Sequence, residues 1–106
     1  MTVAGVFKAL GDPVRLEMVQ RLVQASPCTI SAVSQELGIT RQGARKHLDV
    51  LERADIVRLE PRGRDVLVHL DRGALDSARG YIAELERRWD IRLEALKRFV
   101  ESEIGD

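Results

Sequence analysis

A mainly α-helical fold carrying one small β-hairpin is predicted by three features of this sequence. Apolar residues recur every three or four positions through most of its 106 residues, the spacing of one helical face. A single stretch, IVRLE, PRGR and DVLVHL, reads instead as strand, turn and strand, rich in Val, Ile and Leu with Pro61 and Gly63 between the runs. Cysteine occurs once, at Cys28, which excludes an internal disulfide and a disulfide-built scaffold.

Each element has its own signals. Val3, Val6, Phe7 and Leu10 share one helical face, and Gly11 follows as a stop. Asp12 is placed to accept the free N–H groups of a second helix, whose first position is Pro13, where a missing N–H costs nothing. That helix is expected to run to about Gln24 and to bury Leu16, Val19, Leu22 and Val23. Residues 24–29 read as a loop. Thr29 caps a third helix with apolar positions Ala32, Val33 and Leu37, and Gly38 suits a left-handed residue at its end.

Thr40 caps the fourth helix, RQGARKHLDVLERA, with Ala44, Leu48 and Leu51 as its buried stripe. In the hairpin, Val57 and Leu59 alternate with Arg58 and Glu60, whereas Val66, Leu67 and Val68 are continuous, so one of the three is expected to be partly exposed. From Asp71 a helix of about 30 residues is traced by Leu75, Ala78, Ile82, Leu85, Trp89, Leu93, Leu96 and Val100.

Composition bounds the function. With 44% apolar and 32% charged residues, the chain fits one small domain that buries roughly 65% of its extended surface. No apolar run approaches the ~20 residues needed to span a bilayer, and no basic-then-apolar leader opens the chain, so a cytoplasmic protein without membrane contact is expected. Seventeen basic residues balance seventeen acidic ones, but unevenly. Residues 40–70 hold seven basic and five acidic side chains, and residues 71–106 seven and nine. The middle segment is the one suited to a polyanion.

A short helix, a tight glycine-containing turn and a longer basic helix form the unit with which many proteins enter the DNA major groove. Arg41, Gln42, Arg45 and Lys46 fall opposite the buried stripe and near the head of that helix, beside Thr40. Arg bonds guanine O6 and N7 bidentately and Gln does the same with adenine N6 and N7, so this set suits both base reading and phosphate holding. The competing reading is a solvated helix face. Arg62 and Arg64 flank Gly63 at the hairpin tip, where long cations reach a minor groove or the backbone, or serve solubility alone.

Taken in order, FKALGDPVRLEMVQRL, ELGITRQGARKHLDVLERADIV and the RGR hairpin tip resemble the ArsR family of bacterial transcriptional regulators. YIAELERRWDIRLEALKRF is similar to a branch of that family that does not sense metals. The resemblance implies one winged helix-turn-helix domain over residues 1–106, with the helix-turn-helix at 29–54, the wing at 56–70 and a dimerisation helix at 71–104. It also implies duplex DNA as a partner and a homodimer through the first and last helices, with Val3, Phe7, Leu75, Ile82, Leu85, Trp89, Leu93 and Leu96 in the interface. Two recognition helices would then stand about 34 Å apart on a palindromic operator, where the protein is expected to repress.

The chain departs from the family pattern at Gly43, where a small hydroxyl residue is common, and at Asp55, where Gly is common and a positive φ has to be tolerated. Metal sensing is not expected. Cys28 stands alone, the last helix lacks His, and His47 and His69 lie on different elements. His47, at the edge of the buried face, is read as a hydrogen-bonded structural residue, and Cys28 as an inert, half-buried thiol. Tyr81, Trp89 and Phe99 read as core or dimer packing rather than a ligand pocket, and Gly80 as a close approach or a bend.

Glu84 with Arg88 and Glu94 with Arg98 are placed for i, i+4 pairs, and a face of mixed sign argues against membrane binding. No cofactor is expected, and no residue set names an inducer. A protein-interaction module on the same fold is the second reading. An enzyme is disfavoured by the absence of a nucleophile–base set, a phosphate loop or a convergent carboxylate pair.

Overall fold

The computed structural model describes residues 2–104. Its elements are α1 (Val3–Leu10), α2 (Pro13–Ala25), β1 (Cys28–Thr29), α3 (Ile30–Ser34), α4 (Arg41–Arg53), β2 (Val57–Arg62), β3 (Asp65–Leu70) and α5 (Arg72–Ile104). The class is the expected one, helices around a small antiparallel sheet. Each of the first four helices begins at a polar cap. The hydroxyls of Thr2, Thr29 and Thr40 accept from the N–H of Gly5, Ala32 and Gly43 at 3.0, 3.1 and 2.9 Å. Asp12 Oδ1 accepts from Val14 and Arg15 at 2.8 and 3.1 Å, which satisfies two of the orphan donors of α2.

The core gathers Val6, Met18, Leu22, Val33, Ala44, Leu48, Leu51, Ile56 and Val68, all fully buried. On α2 the buried face differs from the expected one: Leu16 and Val23 are 43% and 65% exposed, while Met18 joins Val19 and Leu22 inside. Apolar residues span an arc of about 200° on this helix, wider than one contact face, so periodicity does not fix which part of it is buried. Its neighbours α1, α3, α4 and β3 do.

Helix α3 is also shorter than expected, so that Leu37 lies beyond it and is half-buried, and Ala32, within it, is exposed. Arg21 ends it, donating to the carbonyls of Val33 and Gln35 at 3.2 and 2.6 Å. Gly38 is left-handed, as expected, but lies beyond the helix; Glu36 has already turned the chain with φ 61°. Asp55 takes φ 58° between α4 and β2, the conformation its position required.

The sheet has a third strand that sequence patterning misses. β1 pairs antiparallel with β3 through Cys28↔Val68 and Thr29↔Leu67, giving the order β1-β3-β2. Part of the expected 24–29 loop is therefore strand, and Ser26 Oγ accepts from Leu70 N at 2.9 Å beside it. Two residues are too few to show a period of two. In the hairpin, pairing runs from Val57↔Leu70 to Arg62↔Asp65, so the expected four-residue turn shrinks to Gly63 and Arg64, with Gly63 at φ 60°. Pro61 sits on the edge strand, where no ladder donor is lost. Val68 is buried, but both Val66 and Leu67 are half-exposed, one more than expected.

Helix α5 is 33 residues and so about 50 Å long, in a molecule 75 Å in its longest dimension. Asp71 opens it, giving its N–H to Ile56 O at 2.8 Å and accepting from Gly73 N at 2.9 Å. Only Ala74 and Ala78 are buried, against α1; every residue from 79 to 104 is exposed. Phe7 and Tyr81 pack as a tilted ring pair at 6.3 Å, whereas Trp89 and Phe99 lie open. Gly80 is approached by nothing within 4 Å of where a Cβ would stand, so no close contact explains it.

Glu84 pairs with Arg87 at 3.0 and 2.7 Å rather than with Arg88, because the fork of Arg87 takes both carboxylate oxygens from three residues away. The expected Glu94–Arg98 bridge does not form either; Asp76 and Arg79, at 3.7 Å, do meet. No described helix is long and apolar enough to cross a membrane.

One side chain ties three helices. Arg15 Nε donates to Ala9 O at 2.6 Å and Nη2 to Lys8 O at 3.4 Å, closing the end of α1, while Nη1 stands 3.3 Å from Nδ1 of His47 on α4. Arg only donates, so Nδ1 is the acceptor and His47 is the structural histidine it was expected to be.

Arg15→Ala is expected to lower stability by about 1–3 kcal/mol, and Arg15→Lys to recover little of it, because a point charge does not reproduce the fork. Urea denaturation checks both; a Lys variant as stable as the parent refutes the account. The carboxyl of Asp12 is held below its usual 3.8, chiefly by the hydrogen bond from Arg15 N–H. A lowered folded pKa gives stability that is complete above 3.8 and fades as pH falls through the folded value. Asp12→Asn should therefore flatten that part of the acid unfolding curve; an unchanged curve counts against the cap.

Candidate nucleic-acid interface

The surface of α4 opposite its buried stripe carries a cluster of exposed cations. Ala44, Leu48 and Leu51 are fully buried, which turns Arg41, Gln42, Arg45 and Lys46 outward, and all four are exposed. Arg41, Gln42 and Arg45 line one wall of an open groove whose other side is Ile30 and Val66. The head of α4 and the outer half of the hairpin, at the pair Pro61↔Val66 next to the turn, thus share one concave surface. Lys46 lies outside that groove's lining, and Arg62 and Arg64 stand at the far, exposed end of the hairpin.

Local bonds fix this arrangement. The hydroxyl of Thr40 is used as the cap of α4, accepting from Gly43 N, a structural role that needs no ligand. Arg45 Nε lies 3.3 Å from Asp49 Oδ1, an exposed i, i+4 pair of small worth that is readily exchanged for a stronger anion. A Cβ added at Gly43 would come to 3.3 Å from the Thr40 hydroxyl, a tight fit against the cap itself.

The hairpin is aimed by α4. Glu52 Oε2 accepts from Leu59 N at 3.2 Å, joining the last turn of the helix to the first strand of the wing. Across the wing His69 Nε2 meets Glu60 Oε1 at 2.9 Å, and this hydrogen bond with His69 is the main reason that the Glu60 carboxyl is held below its usual range. Sequence reading passed over Glu52, Asp49 and Arg21. Asp49 could have been found from its i, i+4 spacing to Arg45, whereas Glu52 and Arg21 bond backbone distant along the chain, for which there is no spacing rule.

Cys28 is half-buried and burial pushes its thiol up from 9.0, the opposite of a reactive cysteine. His47 and His69 are each engaged, with Arg15 and Glu60. Among the described residues no three His, Cys, Asp or Glu side chains gather as a metal site.

The fold and this surface define a helix-turn-helix regulator of transcription. A helix-turn-helix domain family matches residues 10–60. The uncharacterized HTH-type transcriptional regulator YuzN of Bacillus subtilis is 35% identical over 65 residues, which cover 56% of this chain and 71% of that protein. A second such regulator, from Methanocaldococcus jannaschii, is 32% identical over 57% of this chain and 67% of its own.

Among solved structures, an ArsR-like transcriptional regulator from Rhodococcus sp. RHA1 superposes with a TM-score of 0.78 at 29% identity, covering 92% of this chain and 91% of that one. An ArsR family transcriptional regulator gives 0.77 at 25% identity over 82% and 94%. The chain belongs to the helix-turn-helix transcriptional regulators, with the winged architecture of their ArsR family.

Because the Thr40 hydroxyl caps α4, Thr40→Ala is expected to cost about 1 kcal/mol of stability and Thr40→Ser almost none. Thermal denaturation of the two variants decides it; equal stability would remove the hydroxyl from the account.

Proposed function

We propose that the protein acts as a homodimer that binds duplex DNA at a palindromic operator and represses transcription by occluding a promoter. The observation that carries this reading is the groove shared by Arg41, Gln42, Arg45 and Val66. A basic helix head beside the outer half of a hairpin is shaped for one major-groove edge with its flanking backbone. Arg45 and Gln42 are assigned to base edges, Arg41, Lys46 and Thr40 to phosphates near the helix N-terminus, and Arg62 and Arg64 to phosphate or a minor groove.

The dimer is supported by apolar residues that one protomer leaves open. Ile82, Leu85, Trp89, Leu93 and Leu96 are 43–59% exposed, Phe7 is close to them through Tyr81, and Val3 and Leu75 are half-buried. A patch of this size on a monomer marks an interaction surface. The same stripe would also suit a protein-interaction module with no DNA of its own; salt-dependent duplex binding separates the two, since only the regulator releases counterions.

The lone Cys28 and the engaged histidines support a regulator that does not respond to metals. Stoichiometric Zn²⁺, Cd²⁺ or Ni²⁺ should leave operator affinity unchanged, and a large reversible loss would overturn this.

Selection from a random duplex pool should return a two-fold symmetric site. On that site Arg45→Ala is expected to cost about 1–3 kcal/mol per half-site and to relax sequence preference. Arg64→Ala should weaken matched and scrambled duplexes alike and make the salt slope shallower by about one unit per lost phosphate contact. Equal effects of the two substitutions on specificity would mean that α4 is not the reader.

A further inference from the structure

A cleft between α1 and the last turn of α4 gathers cations that the DNA-reading surface does not use. Lys8 on α1, Arg15 on α2 and Arg53 on α4 line it, and no carboxylate does. Among the described residues Lys8 and Arg53 have no ion-pair partner, and Asp12 reaches Arg15 only at 4.0 Å. Like charges around one concavity repel each other, and its low-dielectric walls focus their field, so the cleft attracts an anion.

The rest of the lining is largely apolar. Ala9 and Ala54 are buried and Val50 is half-buried, and the cleft holds about 520 Å³, within the ~300–1,000 Å³ of small-molecule sites. Donors are left over. Of the five N–H groups of a guanidinium, Arg15 uses three, on Ala9 O, Lys8 O and His47 Nδ1. Its side chain is only 17% exposed, so the protein already holds the fork in place. Thr2, which also lines the cleft, accepts from Gly5 N through its hydroxyl oxygen at 3.0 Å and keeps its O–H to donate. A Cβ at Gly5 would come to 3.1 Å from that oxygen, and glycine leaves it uncrowded.

We propose that this cleft binds a small organic carboxylate, its apolar body on Ala9, Val50 and Ala54 and its charge held by Lys8, Arg53 and the remaining N–H groups of Arg15. A guanidinium gives a carboxylate two parallel N–H bonds, and one that is already fixed loses little freedom in doing so. The mixed lining sets the class. A bare inorganic anion would leave the aliphatic wall wet, and a neutral ligand would leave three cations without a counter-charge. Occupied, the site joins α1, α2 and α4, the helices that Arg15 ties, so binding stabilises the fold by mass action.

Position separates the cleft from the surfaces described above. Arg53 lies eight and twelve residues beyond Arg45 and Arg41, about 12 and 18 Å along the helix axis. On α1, Gly5 and Ala9 each stand two residues from Phe7, hence about 160° round the helix, and Phe7 is the residue that meets Tyr81 of α5. Neither the head of α4 nor the apolar stripe of α5 shares this site.

Benzoate and hexanoate are the probes, at constant ionic strength, with benzamide and hexanamide as uncharged counterparts and inorganic phosphate as the bare anion. Calorimetric titration of the parent protein is expected to show saturable binding of at least one carboxylate, with a matching rise in melting temperature, and none of either amide. Lys8→Gln and Arg53→Gln should each weaken that binding at least about threefold, and the two together about tenfold. Both side chains are exposed, so circular dichroism should find the unliganded fold unchanged. Absence of saturable binding at tens of millimolar, or binding that survives the double substitution, overturns the site; phosphate or an amide binding as tightly as the carboxylates overturns the ligand class.

A DNA phosphate in the same cleft is excluded by a separate titration. If the cleft held the backbone of a duplex, Lys8→Gln with Arg53→Gln would make the salt slope of duplex binding shallower by about two units, and that result overturns the proposal. An equal slope for parent and double variant supports a small ligand. A parent that binds no duplex at all sinks the DNA-reading role and leaves the carboxylate titrations to decide the cleft.

Discussion

Burial of one face of α4 is the constraint on which the site depends. Ala44, Leu48 and Leu51 have no exposed surface, and burying two leucines at about 1.5–3 kcal/mol each fixes the roll of the helix about its axis. With that roll set, the outward direction of Arg41, Gln42, Arg45 and Lys46 follows from 3.6-residue geometry. Hydrogen bonds add the remaining degrees of freedom. Arg15 holds the middle of α4 through His47 to the end of α1, and Glu52 holds its last turn to the wing through Leu59 N. A helix fixed in this way presents preorganised cations, which is what recognition of a stiff, patterned polyanion needs.

The molecule divides by burial into a body and an arm. Up to Ala78 most of the apolar residues find partners within the chain, Leu16 and Val23 being exceptions; beyond it, apart from the contact of Tyr81 with Phe7, they lie open while the helix continues to Ile104. Helix propensity and internal pairs such as Glu84–Arg87 support those outer turns, yet an amphipathic helix gains most of its stability from packing its apolar face. In the proposed dimer that packing comes from the second copy, so assembly and ordering of the arm are one event. Operator spacing then becomes a property of α5 as much as of α4, because the helix that joins the protomers sets the separation of the two reading heads.

The wing shows how local and non-local terms divide the work. Gly63 at φ 60° makes a two-residue turn possible, and Val68, alone fully buried in its run, fixes which face of β3 meets the core. Glu60 and His69, on neighbouring strands, add a charged cross-strand bond. The wing therefore extends Arg62 and Arg64 from a braced root, with only the tip free to adapt.

Sequence by itself determined the helix starts, the stripe of α4, the hairpin and the long amphipathic α5. These depend on caps, steric limits on φ and short-range periodicity, all of which act within a few residues. Tertiary structure alone decided which face of α2 is buried, that α3 stops at Ser34, that β1 adds a third strand, and that Arg15, Arg21 and Glu52 hold the helices and the wing in place. In each of these cases the partner is distant along the chain: Arg15 reaches His47, Arg21 reaches Gln35, Cys28 pairs with Val68. A hydrogen bond or an apolar face has no preference among partners until the chain has folded back to offer one, and that is why spacing within the sequence did not reveal them.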